Sequence, residues 1–495
     1  MAVNAIILPP IATKFPAMKI LQPAYTDGFF NVSAPYGFLP MEAPLTSLPS
    51  AYASLQDILN RMPVQLENGE PGLLHFPGKI HQETAKMPNY LEQVKKESDI
   101  RILQALYRGY AFLCSAYTLE PAYQEFKKSG NYGKANNILP ANIAQPFVAV
   151  CDALQVFPWL DYHYGYSLGN FQKINPEGPL EWDNLNMCVK FSGMADEAGF
   201  ILLHIDINQF SPQLVGSVMQ TLEAIEQDDC KRAESALENN WQTLTQMNLR
   251  RKEMWKASRW QHYNDFRVFI MGVKGNEEIF GEGVTYTSVW DEPKQFRGQT
   301  GAQDDIIPME DIFSGVTRYY PKNELTSYLL DLRQYRPKCV QQFFNDLEEQ
   351  VKQIHTNGIA GYLIEKNSCN GLAKLLGILE QIYHFRNGHW QFVQKYIMAN
   401  TPYAKATGGT PITTWIPNQI TAVLQQMEDI IAVLPTLSEP LDEKSAGIVT
   451  SNMQTFQHKK QLLAEQLNMV SGASYSADTL FSLNTRFGLS DQPNT

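Results

Sequence analysis

Apolar residues recur at spacings of three and four through most of the chain, and strict alternation over four or more residues is rare. Helices bury an apolar stripe at the first period and strands at a period of two, so the pattern predicts a mostly α protein. Helices are expected over 52–61, after Ser50 as a cap, and over 88–127, with Leu103, Leu106, Tyr107 and Tyr110 on one side. Another begins near Asp196 and carries Phe200, His204 and Ile207 on one face. Ser211-Pro212 reads as a cap followed by proline at the first helical position. Helices then run to about Gln227 and from about Asp229 to Ser258, with more over 324–332, 338–356, 371–398 and 418–434. One stripe differs from the others. Ile378, Ile382, Phe385, His389, Phe392 and Tyr396 share a face, which sets a single histidine among apolar side chains.

The connecting stretches are rich in turn residues. Residues 1–50 hold eight prolines, among them Pro9, Pro10, Pro35 and Pro49, and should be extended, wrapping a surface rather than forming a helix. Residues 129–146 and 272–303 read as loops, the second with Gly275, Gly281, Gly283, Gly298 and Gly301. Residues 406–410 form another. From Ser438 the chain is polar, with a modest amphipathic stretch near Phe456 to Leu467, and the last residues, 490–495, are expected to be disordered. No internal repeat is present. The expected organisation is a proline-rich segment with a small helical domain (1–150), a large helical domain (151–435) and a polar C-terminal extension (436–495).

With 495 residues, 44% hydrophobic and 18% charged, the chain can build a core large enough to enclose a cofactor. A net charge of -11 argues against nucleic acid as the main partner, because phosphate binding needs a basic surface. The six cysteines include no CxxC pair, so zinc and dithiol chemistry are weak readings and a reducing, cytoplasmic setting fits. Residues 1–10 lack a positive region ahead of their apolar run, so no signal peptide is expected. The apolar run near Phe200 to Ile207 is too short to span a bilayer.

Single residues leave alternatives open. His389 on its stripe reads as a core histidine bonded to the backbone or as an axial haem ligand. Arg267, in Phe266-Arg267-Val268-Phe269-Ile270, reads as half of an internal ion pair or as a clamp on a carboxylate. Thr407-Gly408-Gly409-Thr410 reads as a surface turn or as a backbone nest for an anion.

Their combination resembles the indoleamine 2,3-dioxygenase family of haem enzymes. The resemblance is carried by Ile138-Leu139-Pro140-Ala141-Asn142-Ile143-Ala144-Gln145-Pro146-Phe147 and by Arg267 through Val273-Lys274-Gly275-Asn276. It continues in Val289-Trp290-Asp291-Glu292-Pro293-Lys294-Gln295-Phe296 and Gly298-Gln299-Thr300-Gly301-Ala302-Gln303, and ends with 385–397 and 406–410. It covers roughly residues 30–430. By resemblance, His389 would be the proximal ligand to the iron of haem b, with Arg386 and Asp311 near the haem's polar edge and Gly298 and Thr300 in the loop over it. Arg267, helped by Thr407, would hold the substrate carboxylate. Phe200, His262 and Tyr263 would line the indole pocket, and Thr300 and Gly301 would sit over the distal face. His384, five residues before His389, is turned about 140° from the stripe and is the weaker ligand candidate. Gly388 leaves room for a porphyrin to approach.

Three positions differ from the family. His204 stands where many members have serine, His262 replaces a common aromatic residue, and Gln299 replaces a glycine. A pocket tyrosine is expected at Tyr162 or Tyr164. His204 would hydrogen-bond an indole N–H or the oxygen, as an orienting group.

The resemblance implies an all-α fold with a smaller loop-rich domain and a larger haem-binding one. The activity implied is cleavage of the indole C2–C3 bond of L-tryptophan, or a related indole, with O2 to an N-formylkynurenine-type product. The alternatives are a haem-dependent mono-oxygenase or rearranging enzyme acting on a tryptophan derivative, and a non-catalytic helical binding protein. A monomer or small homo-oligomer is expected, with no nucleic acid or membrane partner.

Overall fold

Ser368 Oγ accepts a hydrogen bond from the Gly371 backbone N–H and opens a 25-residue helix, Cys369–Val393, around which the large helices assemble. The computed structural model describes residues 19–21, 24–320, 324–398 and 412–471. In chain order its main helices are α1 (Ile100–Ser129), α2 (Ala141–Leu154), α3 (Ala195–Asn208), α4 (Ser211–Glu226), α5 (Cys230–Arg251), α6 (Ile306–Ser314), α7 (Lys338–Ile354), α8 (Cys369–Val393), α9 (Ile412–Val433) and α10 (Glu443–Ser471). Among the described residues, strands form three two-stranded sheets: Tyr25–Thr26 with Asn31–Val32, Ile138–Leu139 with Thr285–Tyr286, and Phe171–Lys173 with Leu185–Met187. The all-α expectation holds.

Helix α8 packs on α5, α9 and α10. Leu372, Leu375, Leu376, Ile378 and Leu379 are fully buried, and Asn370 and Lys374 are buried with them, so its first half is surrounded by protein on every side, Lys374 meeting Glu238 and Asp442. Its second half keeps one face for a cavity. Helix α10 lies in the polar C-terminal stretch. It buries Ile448, Val449, Phe456, Leu463 and Ala464, and its Lys459 donates to Glu380 of α8 at 2.7 Å. No described helix is long and apolar enough to cross a membrane.

Local chemistry shifts several boundaries. The helix expected over 88–127 is broken before Asp99, whose carboxylate accepts from the Arg101 and Ile102 backbone N–H groups and caps α1. Residues 141–154, expected in part as loop, form α2. Its internal Pro146 masks the period, but Ile143, Ala144, Phe147, Val150 and Cys151 are buried and hold it. Helix α6 and the short helix Gly358–Glu365 also escaped the pattern. Ser211 does not cap α4. Its hydroxyl donates to the Asn208 carbonyl and accepts from Phe38 N–H, pinning the N-terminal arm. That arm buries Tyr25, Phe29, Phe30, Val32 and Phe38, and Tyr25 donates to Asp346 of α7 at 3.0 Å.

Candidate functional site

The apolar stripe of α8 is buried at Ile378 and Ile382 and meets a cavity at Phe385, His389 and Phe392. The cavity is lined mostly by apolar and aromatic side chains, among them Phe200, Tyr263, Tyr396 and Ile416. Neither imidazole nitrogen of His389 has a hydrogen-bond partner among the described residues. Burial, with Arg251, His204 and Arg386 adding positive charge nearby, pushes its pKa down to about 4. At neutral pH it is an uncharged imidazole with a lone pair to offer. His384 points outward, side chain 47% exposed and 3.8 Å from Glu380, as its position on the helix requires.

Helix α3 supplies Phe200, His204 and Ile207 to the same cavity. His204 Nδ1 lies 2.9 Å from the Phe200 carbonyl oxygen. A carbonyl only accepts, so Nδ1 carries the proton and Nε2 keeps its lone pair. Burial lowers the His204 pKa, with Asp304 pulling weakly the other way. Nε2 faces Gly301, where a side chain's Cβ would stand 3.6 Å away. The Phe200 ring packs on Tyr263 at 5.2 Å, and Tyr263 on Tyr396 at 5.8 Å.

The loop 298–305 closes this wall with Gln299, Thr300, Gly301 and Asp304. Thr300 and Gln303 form a capping box, with Thr300 N–H donating to Gln303 Oε1 at 3.2 Å. Gly298 crosses the backbone of Gly272 so closely that a Cβ on Gly272 would lie 1.9 Å from the Gly298 nitrogen. It serves that crossing and is not in the cavity wall. Two buried anchors hold the loop. Asp304 accepts from Tyr162 Oη and Asn208 Nδ2, both at 2.7 Å. Asp305 accepts from Arg336 Nε at 2.6 Å and pairs with His163 Nε2 at 2.7 Å. Tyr162 is thus the tyrosine beside the site, its ring 5.7 Å from that of His204. Tyr164 turns away to Asp27.

A second cavity adjoins the first, sharing Gly301, Asp304, Phe385, His389 and Ile416. Its polar end carries Asp311, Tyr320, Arg333, Arg336 and Arg386. Arg386 donates to Asp311, which also accepts from Tyr320. Burial raises the Asp311 pKa while Arg386 opposes the rise. Arg386 Nε and Asp311 Oδ1 are buried without partners in the described structure. A flat apolar macrocycle with an anionic edge fits this pair of cavities: an imidazole in the shared wall, aromatic sides, and guanidinium groups at one end. Among the described residues, no group of three or more His, Cys, Asp or Glu is placed to hold a bare metal ion.

The other predicted residues are more dispersed. Arg267 is fully buried one turn after Tyr263, where its Nη1 donates to Tyr132 Oη at 3.4 Å, and it is not part of the described cavity wall. His262, expected in the pocket, instead pairs with Asp265 at 3.1 Å with its side chain 36% exposed, and does not line the cavity. Its place on a 3-10 turn rotates it away from Tyr263. Thr407 lies outside the described residues. Sequence reasoning missed Arg251, Asp304, Asn208 and Arg336. Arg251, at the end of α5, lines the cavity against Phe385 and Phe392; an arginine in an Arg-Arg-Lys run gives no sequence signal of burial.

Compared with known proteins, residues 27–456 match the family model for indoleamine 2,3-dioxygenase. The chain is similar to indoleamine 2,3-dioxygenase 1 of Rattus norvegicus, 25% identical over 67% of this chain and 74% of the relative. It is also similar to indoleamine 2,3-dioxygenase 2 of Mus musculus, 27% identical over 77% and 87%. A fungal relative, 6-hydroxytryptophan 2,3-dioxygenase of Fusarium equiseti, is 23% identical over 74% and 84%.

Proposed function

The chain belongs to the indoleamine 2,3-dioxygenase family and is an oxidoreductase, and we propose that it cleaves the C2–C3 bond of L-tryptophan or a ring-substituted relative with O2, using haem b. The observation that carries this reading is the neutral, unpartnered imidazole of His389, in a cavity that also holds an acceptor histidine and aromatic walls. His389 would ligate the iron, and Arg386 and Asp311 would meet the macrocycle's polar edge. The chemistry a haem supplies is activation of O2, both atoms of which end in an N-formylkynurenine-type product.

The protein's own residues bind, orient and exclude water. Phe200 and Tyr263, packed on each other, form one aromatic wall against which the indole ring rests. His204, protonated at Nδ1, accepts at Nε2 and so takes the indole N–H; it does not donate to oxygen. Thr300 and Gly301, in the same cavity wall, would shield the bound group from water. Arg267, with Thr407, is the proposed carboxylate clamp. A cytoplasmic site of action agrees with six free cysteines.

A second reading keeps the site and changes the outcome to mono-oxygenation or rearrangement of a tryptophan derivative. What favours it is His204, whose acceptor nitrogen suits a ring hydroxyl as well as an N–H. The similarity to a 6-hydroxytryptophan 2,3-dioxygenase supports a ring-substituted substrate within the first reading, not the second. Product mass after turnover with 18O-labelled O2 on tryptophan and 6-hydroxytryptophan separates the two. Two labelled oxygens with the ring opened support dioxygenation. One label or an intact ring overturns it.

A further inference from the structure

Arg251 is 8% exposed and has no carboxylate partner among the described residues. Its Nε donates to Asn248 Oδ1 and its Nη2 to the His384 carbonyl, each at 3.3 Å. The guanidinium lies between the rings of Phe385 and Phe392, 5.7 and 5.8 Å from their centroids. The buried arginines nearby are built differently: Arg386 has Asp311 and Arg336 has Asp305. Burying a cation without a counter-charge is costly, and Arg251 is offset only by two rings, two neutral acceptors and the C-terminal end of α5.

The protein also makes room for this charge. A Cβ on Gly388 would lie 2.1 Å from Arg251 Nη1 and 2.3 Å from Nη2. Glycine inside a helix costs about 1 kcal/mol relative to alanine. The glycine therefore lets a guanidinium rest on the backbone next to His389. Histidine ligands usually pass their second N–H to a carboxylate or carbonyl, which raises their basicity. His389 has neither among the described residues, and has a cation beside it.

We propose that Arg251 is a positioning residue acting through His389, and that its buried positive charge favours the reduced over the oxidised state of iron held there. The inference rests on the haem reading above. Reduction lowers the charge of the iron–porphyrin by one, and a nearby cation in a low-dielectric wall stabilises the less positive state. The guanidinium pKa is lowered by burial to about 10, so the charge persists at neutral pH.

The test is the midpoint potential of haem-reconstituted protein, read by spectroelectrochemistry. Arg251→Met should raise the ferric-to-ferrous ratio at a fixed poise about tenfold, a 59 mV fall for a one-electron couple. Arg251→Lys should retain most of the wild-type potential. Gly388→Ala displaces the guanidinium without deleting it and should shift the potential the same way. The double variant should shift no further than Arg251→Met alone. Equal potentials in wild type and Arg251→Met, with a normal Soret band, would make Arg251 a packing residue and overturn the proposal. Should Arg251→Met not fold, Gly388→Ala decides, since alanine favours the helix; an unchanged potential there overturns the proposal too. Absence of a Soret band in wild type would overturn the haem reading and this inference with it, an outcome distinct from a band with unchanged potential.

Discussion

The Nδ1 of His204 stands 2.9 Å from the carbonyl oxygen of Phe200, one helical turn earlier on α3. That contact fixes the tautomer and makes Nε2 an acceptor in the cavity. Wild type should therefore prefer tryptophan to its N1-methyl analogue, and His204→Ala should lose the preference. One neutral hydrogen bond is worth about 0.5–1.5 kcal/mol, so kcat/KM ratios should change about two- to twelvefold. An unchanged ratio would count against indole N–H recognition by His204.

His389→Ala should abolish the Soret band of reconstituted protein while circular dichroism stays that of the wild type. A retained band would rule out His389 as the axial ligand.

The ligand-free protein should also report His389 through pH. Its folded pKa of about 4 lies below the unfolded value near 6.5, so the unfolded state binds more protons between them. Stability should be full above pH 6.5 and fall by roughly 3 kcal/mol as pH drops to 4. Urea unfolding of wild type and His389→Gln across this range should differ by that amount. Parallel curves would show that His389 is not held neutral in the fold.

Asp311→Asn leaves Arg386 buried without its counter-charge. A loss of about 3–5 kcal/mol is expected, measured by denaturant unfolding of the ligand-free protein. A change under 1 kcal/mol would mean that Arg386 finds solvent or another partner.

Arg267→Ala tests the carboxylate clamp. Loss of a buried charge-paired hydrogen bond should cost about 2–5 kcal/mol in tryptophan binding, with little effect on tryptamine, which lacks the carboxylate. Equal losses on both would assign Arg267 to packing, in line with its bond to Tyr132.

Periodicity is a local property, and what it determined is local. It placed His389, Phe385 and Phe392 on one face of α8 and turned His384 out, and it set Phe200, His204 and Ile207 together on α3. The ordered segments from Arg267 to Gln303 and around His389 were enough to resemble one family. The sequence could not show which elements meet. Arg251 arrives from α5, Asp304 from the loop after Gly301, and Tyr162 from a turn between α2 and α3; their partners are tens to hundreds of residues away, so no spacing records them. His262 sits beside Tyr263 in sequence, yet a 3-10 turn sends it outward. Helix α2 was hidden by Pro146 because its stability comes from burial against α1 rather than from propensity. The charge beside His389 exists only once the helices have packed, because Arg251 reaches it from α5; the protonated nitrogen of His204, by contrast, is set within α3 by the carbonyl four residues earlier.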